Sequence, residues 1–295
     1  MFVEWKKRHR SQIEEFRFGL HLARRSSLTL FGVIVVLGLL VTAIFAPWIA
    51  PHPEDGIMMT THPENRLSSP SLEHILGTDS LGRDILSMLI FGSRISVVIA
   101  ALVVVLSGII GIPLGLVAGY YGGNIDDLIM RVTDIVMSVP EILLAMLTIA
   151  VIGPGINNAI IAISLTHWTR YARLVRGDTL RAREETYVEA ARAFGSGDLR
   201  IIFRHILPNV FAPLTVQASM DAGRAVLFAT SLSFIGMGAT PPSPEWGLMI
   251  SMARSFIPSF WWYAFFPGVA IVTVVMGFSF LGDGLRDILD PKLRR

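Results

Sequence analysis

Long apolar runs alternate with short polar, charged stretches along this chain, and run length is the strongest structural signal it carries. Six runs are long enough to be helices crossing a hydrocarbon layer of about 30 Å: Leu28 to Ala46, Ile95 to Ala118, Leu128 to Ile152, Asn158 to Leu174, Val210 to Ile235 and Phe265 to Leu281. The glycines and prolines inside them, among them Gly108, Gly111, Pro113, Pro140, Pro213 and Gly223, are compatible with helices in a membrane. Small residues there permit close packing, and prolines mark kinks. The pattern predicts an all-α membrane protein with six transmembrane helices and no repeat of short period.

Composition strengthens this reading. Of 295 residues, 52% are hydrophobic and only 16% charged, and the mean hydropathy of +0.58 is too high for an ordinary soluble domain. The net charge of +2 does not imply a nucleic-acid partner, because the basic residues gather at the ends of predicted loops, where membrane orientation accounts for them. The chain has no cysteine, which excludes disulfides, thiolate nucleophiles and cysteine-held metal clusters.

Lysine and arginine placement sets the orientation. Lys6, Lys7, Arg8, Arg10, Arg17, Arg24 and Arg25 precede the first run and place the N-terminus in the cytoplasm. Threading six spans from there puts the loop carrying Arg173, Arg176, Arg181, Arg183, Arg192, Arg200 and Arg204 on the same side, together with the tail of Lys292, Arg294 and Arg295. The outside then holds Pro47 to Arg94, where Glu54, Asp55, Glu64, Glu73, Asp79 and Asp84 outnumber Arg66, Arg83 and Arg94, and Gly236 to Ala264 with Pro241, Pro242, Glu245, Trp246, Trp261 and Trp262. Tryptophans at that level read as a membrane-interface belt. Ile13, Phe16 and Leu20 recur at helical spacing, which predicts a short interfacial helix before the first span. Three parts follow: residues 1–75 with the interfacial helix, the first span and the start of the external loop; a transmembrane core over 92–282; and a cytoplasmic tail over 283–295.

The polar loop between the fourth and fifth runs has internal order. Glu184 to Ala193 favours helix and offers Tyr187, Ala190 and Ala191 as a low-relief face, Gly195 and Gly197 break it, and a second helix from Asp198 sets Leu199, Ile202, Phe203 and Ile206 on one face until Pro208 closes it. The product is a helix, turn, helix hairpin. The chain's three lysines, Lys6, Lys7 and Lys292, lack the glycine-rich context of a phosphate-binding loop. Any nucleotide chemistry therefore belongs to another polypeptide, and the chain is not expected to be an enzyme. A serine in GFSF, Gly277 to Phe280, reads as a helix serine bonded to its own backbone.

Within this loop, EAARAFG from Glu189 to Gly195, followed by HILP from His205 to Pro208, resembles the EAA signature of importer permeases of the ATP-binding-cassette superfamily. Glu189, Ala190, Ala191, Gly195, Leu207 and Pro208 match its spacing, while His205 occupies the isoleucine position and Ile206 stands one place late. HILGTDSLGRDILSMLIFGSRIS from His74, AGYYGG from Ala118, LSFIGMGATPPSPEWG from Leu232 and GDGLRDILDPKLRR from Gly282 are similar to the C-type permease subunit of dipeptide and oligopeptide importers. The resemblance implies a type I importer permease fold in a prokaryotic inner membrane. It also implies a homologous second permease, two ATPase subunits that bind ATP and Mg, and an extracytoplasmic substrate-binding protein that delivers peptides. This chain would itself bind no cofactor or metal. The hairpin would be the coupling helix region, and translocation would proceed by alternating access. Relatives with similar motifs handle nickel chelates, glutathione or oligosaccharides, so substrate stays open.

Ionisable residues inside apolar runs are costly, about 2.5–3.5 kcal/mol each at a helix centre, and invite a functional reading. Glu141, Asp221 and Arg224 lie deepest, with His167 and Arg170 toward the end of the fourth run. They either line a wet path suited to a zwitterionic peptide, or neutralise one another, Asp221 with Arg224 on one helix face and Arg170 and Arg131 snorkelling to the interface.

Overall fold

The structure, a computed structural model, describes residues 26–289. The interfacial helix expected around Ile13, Phe16 and Leu20, and the basic tail from Lys292, lie outside the described residues. Those described are helical apart from loops and a single bridge between Thr78 and Asp84. Helix α1 (Ser27–Ile49) starts where the Ser26 hydroxyl accepts from the Thr29 N–H. Helix α2 (Ile85–Tyr121) starts where the Asp84 carboxylate accepts from the Ser87 N–H at 2.8 Å. Then follow α3 (Gly123–Ser138), α4 (Glu141–Ile152) and α5 (Ile156–Arg183). The hairpin is formed by α6 (Thr186–Ala193) and α7 (Asp198–Ile201), and a π turn (Ile202–Ile206) leads from it into α8 (Leu207–Phe234). Short α9 (Trp246–Ala253) and long α10 (Trp262–Leu289) complete the bundle.

By length and apolarity, α1, α2 and α10 can each cross a membrane, and α3 with α4 pass the same test only when taken together as one bent pair, a broken span or a re-entrant loop. The remaining two expected spans coincide with parts of α5 and α8. At 28 residues each, about 42 Å, these are long enough, but they are less apolar because their polar side chains face one another inside the bundle. The third run, Leu128 to Ile152, is not one straight helix: α3 and α4 meet at 90°. Pro140 is the cause. It disfavours helical backbone at the residue before it, and Val139 is accordingly extended at φ −96°, ψ 135°.

Three buried apolar clusters lie in order along α2. Ile85 and Met88 join Leu39, Met58, Trp246, Trp262 and Tyr263 at its N-terminal end. Ile99 and Val103 join Ala145, Ile149, Ile160, Ile163 and Leu232 midway. Leu116 and Tyr120 join Val175, Val188, Ile201, Ile202 and Ile206 at the hairpin end. Gly111, Gly115 and Gly119, one turn apart on α2, let its backbone lie directly on α5. A Cβ on Gly115 would stand 2.5 Å from the Ala172 carbonyl oxygen, and one on Gly119 2.6 Å from the Thr179 Cβ.

Two aromatic expectations are corrected by this packing. Trp246 and Trp262 are buried, their indole N–H groups donating to the carbonyls of Leu89 (3.1 Å) and Thr78 (3.4 Å), so they fasten the start of α2 and the loop before it rather than form a belt. Trp261 is exposed. Ser279 donates to the Val275 carbonyl at 2.9 Å, the backbone bond expected of it.

Candidate functional site

The charged residues singled out in the apolar runs converge. Glu141 opens α4, where a helix N-terminus favours an anion. His167 and Arg170 stand one turn apart on α5, and Asp221 and Arg224 one turn apart on α8. Arg170 donates through one guanidinium nitrogen to Glu141 and through the other to Asp221 at 3.2 Å. Arg224 donates to the same Asp221 oxygen at 3.3 Å, and the Gln217 amide donates to the second at 2.9 Å. Two carboxylates and two guanidinium groups leave the cluster neutral, which lowers the cost of holding it among apolar helices.

Arg170 does not snorkel; it is the hub joining α4, α5 and α8. Length-based reading missed this, although a signal was present: two acids set against Arg224 alone leave one carboxylate unpaired, so a second cation was required. Arg131 is exposed, as a snorkelling residue would be. Exposure within the cluster is graded, from 0% for the Asp221 side chain through 22% for Arg170 and 24% for Glu141 to 45% for Arg224. His167 is fully buried, its Nε2 lies 3.8 Å from a Glu141 oxygen, and neither ring nitrogen has a hydrogen-bond partner among the described residues.

Two more ion pairs hold the broken span. The Asp126 carboxylate accepts from Arg176 at 2.5 and 2.6 Å, and Asp134 accepts from Arg173 at 2.6 Å. Apart from Asp126 and Thr133, no α3 residue is fully buried, so α3 is fixed to α5 mainly by charge.

The hairpin at the other end of α5 is held by apolar packing. Val188, Ala191, Ile201, Ile202 and Ile206 bury themselves against Tyr120, Tyr171, Val175 and Val210, at about 1.5–3 kcal/mol for each large side chain. Gly195 takes φ +76°, the left-handed conformation that closes a helix, and its N–H bonds back to the Arg192 carbonyl. Glu189, Ala190, Gly195 and Pro208 are exposed, Leu207 is half-buried and Ala191 is buried.

Two details differ from expectation. Leu199 and Phe203 do not join the buried face but stand 69% and 61% exposed, beside Phe194 at 91%. Pro208 does not end the second helix. The π turn at Ile202–Ile206 widens the backbone where a proline ring would otherwise strike the preceding turn, and helix runs on to Phe234.

This arrangement, a helical bundle with a packed hairpin projecting from one end, has counterparts. Residues 111–295 match the family of binding-protein-dependent transport system inner membrane components, and residues 22–70 match the N-terminal transmembrane domain of oligopeptide transport permease C. The chain belongs to this family of transport permeases. The permease is 44% identical over 282 residues to the dipeptide transport system permease protein DppC of Alkalihalophilus pseudofirmus, covering 96% of this chain and 91% of that one. It is 43% identical to the di/tripeptide transport system permease protein DppC of Pseudomonas aeruginosa (89% and 88% covered). To the glutathione transport system permease protein GsiD of Escherichia coli it is 44% identical (92% and 88% covered). Its fold is similar to that of a chain in the inward-facing MetNI methionine ABC transporter, with a TM-score of 0.54 at 20% identity over 68% of the permease and 96% of that chain. The permease is thus an inner membrane transport component with an all-α ABC importer permease fold.

Proposed function

We propose that this permease forms half of the translocation path of an ATP-driven importer for di- and oligopeptides, with its N- and C-termini in the cytoplasm. A homologous second permease completes the path, two separate ATPase subunits bind ATP and Mg, and an extracytoplasmic binding protein delivers the substrate. The chain carries out no covalent chemistry. Glu189, Ala190, Ala191, Gly195, Leu207 and Pro208 form the hairpin that docks on the ATPase, and Glu141, His167, Asp221 and Arg224, with Arg170, line the path.

One observation carries the reading: the hairpin buries one apolar face in the bundle and presents another, Phe194, Leu199 and Phe203, outward. An element welded to the spans on one side and unpartnered on the other is suited to convert closure of an outside motor into helix movement. Alternating access follows as the response of α5 and α8, which flank the hairpin, to that movement. The peptide class is supported by the dipeptide, tripeptide and glutathione transport for which the relatives are named and by the central cluster, whose two signs of charge suit a ligand carrying both an ammonium and a carboxylate. Glutathione satisfies the same chemistry, and identifying the ligand of the cognate binding protein separates these substrates.

Replacing Phe194 and Phe203 together by alanine tests the coupling. Each contact is worth about 1.5–3 kcal/mol when buried, so ATPase affinity and energised uptake in proteoliposomes should both fall by more than about tenfold. The variant should fold normally, since both side chains are exposed. Unchanged uptake would refute the coupling role.

A further inference from the structure

A second constellation of chemistry-bearing residues lies in the external loop, some way along the chain from the charged cluster and the hairpin. His52 follows the end of α1, His74 lies within the loop and Asp84 caps α2, and one potential ligand atom from each falls within 4.8 Å of the others. His74 and Asp84 are buried, and His52 is partly so. The two imidazole rings lie 4.9 Å apart between centroids, tilted by 39°. We propose that His52, His74 and Asp84 bind a divalent transition-metal ion of the zinc class, pinning the end of α1 to the start of α2 across the external loop.

The distances suit such an ion. Zinc bonds of about 2.0–2.1 Å set tetrahedral ligands roughly 3.3 Å apart, and His74 Nδ1 already lies 3.1 Å from Asp84 Oδ1. His52 must close the remaining gap and has the freedom to do so. Its side chain is 29% exposed, and its own contacts are long, 3.3 Å to the Glu73 carbonyl and 3.7 Å to the Glu54 carboxylate.

The surrounding groups are those that orient metal ligands. Whichever His52 nitrogen binds, the other has an acceptor, Glu54 for Nδ1 or the Glu73 carbonyl for Nε2. A metal on His74 Nδ1 leaves the ring proton on Nε2, which meets the Asn65 side-chain amide at 3.4 Å and donates to its oxygen once that amide is turned over. The second Asp84 oxygen is held by the Ser87 N–H at 2.8 Å and the Ser87 hydroxyl at 2.7 Å, leaving the first to face the ligand position. Two nitrogens and one oxygen select zinc, nickel or copper over magnesium or calcium. The chain has no cysteine to compete.

Calorimetric titration of the tag-free full-length permease in detergent with zinc chloride, beside magnesium chloride, tests the site. One equivalent of zinc should bind saturably and raise the melting temperature, and magnesium should do neither. His52→Ala, at a partly exposed position, should retain the metal-free melting temperature and lose at least about tenfold in zinc affinity. His62→Ala, which removes a neighbouring histidine bonded instead to Asp55, should bind zinc as the unaltered chain does. Absence of saturable zinc binding by the unaltered chain, or binding that persists undiminished in His52→Ala, would overturn the proposal.

Discussion

Two charged clusters in this permease use the same side chains in opposite ways. In the loop between α1 and α2, Asp79 accepts from the Leu81 and Arg83 N–H groups through one oxygen and from the Arg83 guanidinium through the other, while the remaining Arg83 nitrogen donates to the Met58 carbonyl. Both side chains are nearly inaccessible, at 0% and 3%. Asp55 is equally sealed, accepting from Thr60, His62 and the Asp84 N–H. Between the helices, Arg170 instead divides itself between Glu141 and Asp221, Arg224 shares an Asp221 oxygen with it, and three of the four charged side chains touch solvent-accessible space. A saturated, rigid cluster specifies one backbone conformation. A shared, partly open one can exchange partners at low cost, as the path proposed for charged ligands would require.

The largest effect should come from breaking the sealed cluster. Arg83→Ala leaves Asp79 buried without its partner, a loss of about 3–5 kcal/mol, and should abolish folding or lower the melting temperature in detergent by more than any other change considered. Survival of Arg83→Ala with an unchanged melting curve would end the distinction between the clusters. Asp221→Asn keeps the shape, its one oxygen still accepting from Arg170 while its amide nitrogen takes the place of the oxygen that faced Gln217, so the complex should assemble while uptake falls by about tenfold or more. Loss of assembly with normal uptake in the residual complex would make Asp221 structural.

Smaller effects sharpen the contrast. Glu245 caps α9, accepting from the Leu248 N–H at 2.8 Å, yet its other oxygen is buried without a partner among the described residues. Burial pushes its carboxyl above the ordinary glutamate range, against the opposing pull of the Leu248 and Gly247 N–H groups. The folded form therefore binds a proton more tightly than the unfolded one, and stability should fall as pH rises from the ordinary glutamate range through the raised value. Melting curves against pH should lose this slope in Glu245→Gln. Arg224→Gln, at a largely exposed side chain, should leave stability unchanged within about 0.5 kcal/mol and alter chiefly the Michaelis constant for charged substrates.

What could be read from the sequence followed from local rules, and what was missed depended on partners distant in the chain. Run length located α1, α2 and α10 because apolar surface must be covered by lipid whatever its neighbours are. Counting apolar residues ignores partners and geometry alike and ran through the break between α3 and α4, which the kink read at Pro140 anticipated. Arg170 was misassigned for the same reason. Its position near the end of a run suggested snorkelling, while its partners lie 29 and 51 residues away. Asp55, Asp79 and Asp84 contributed to an acidic loop by count, yet they are internal. Only the folded loop shows that their charge is spent inward.

The seam between α2 and α5 limits how the permease can move. Where Gly111, Gly115 and Gly119 set the α2 main chain against the carbonyls and Cβ atoms of α5, α2 has no side chain to slip, rotate or repack, so these two helices behave as a single beam. Deformation has to be absorbed where attachment is ionic or backbone geometry is irregular: at Val139, along the charge-tethered α3, and at the π turn that joins hairpin to span.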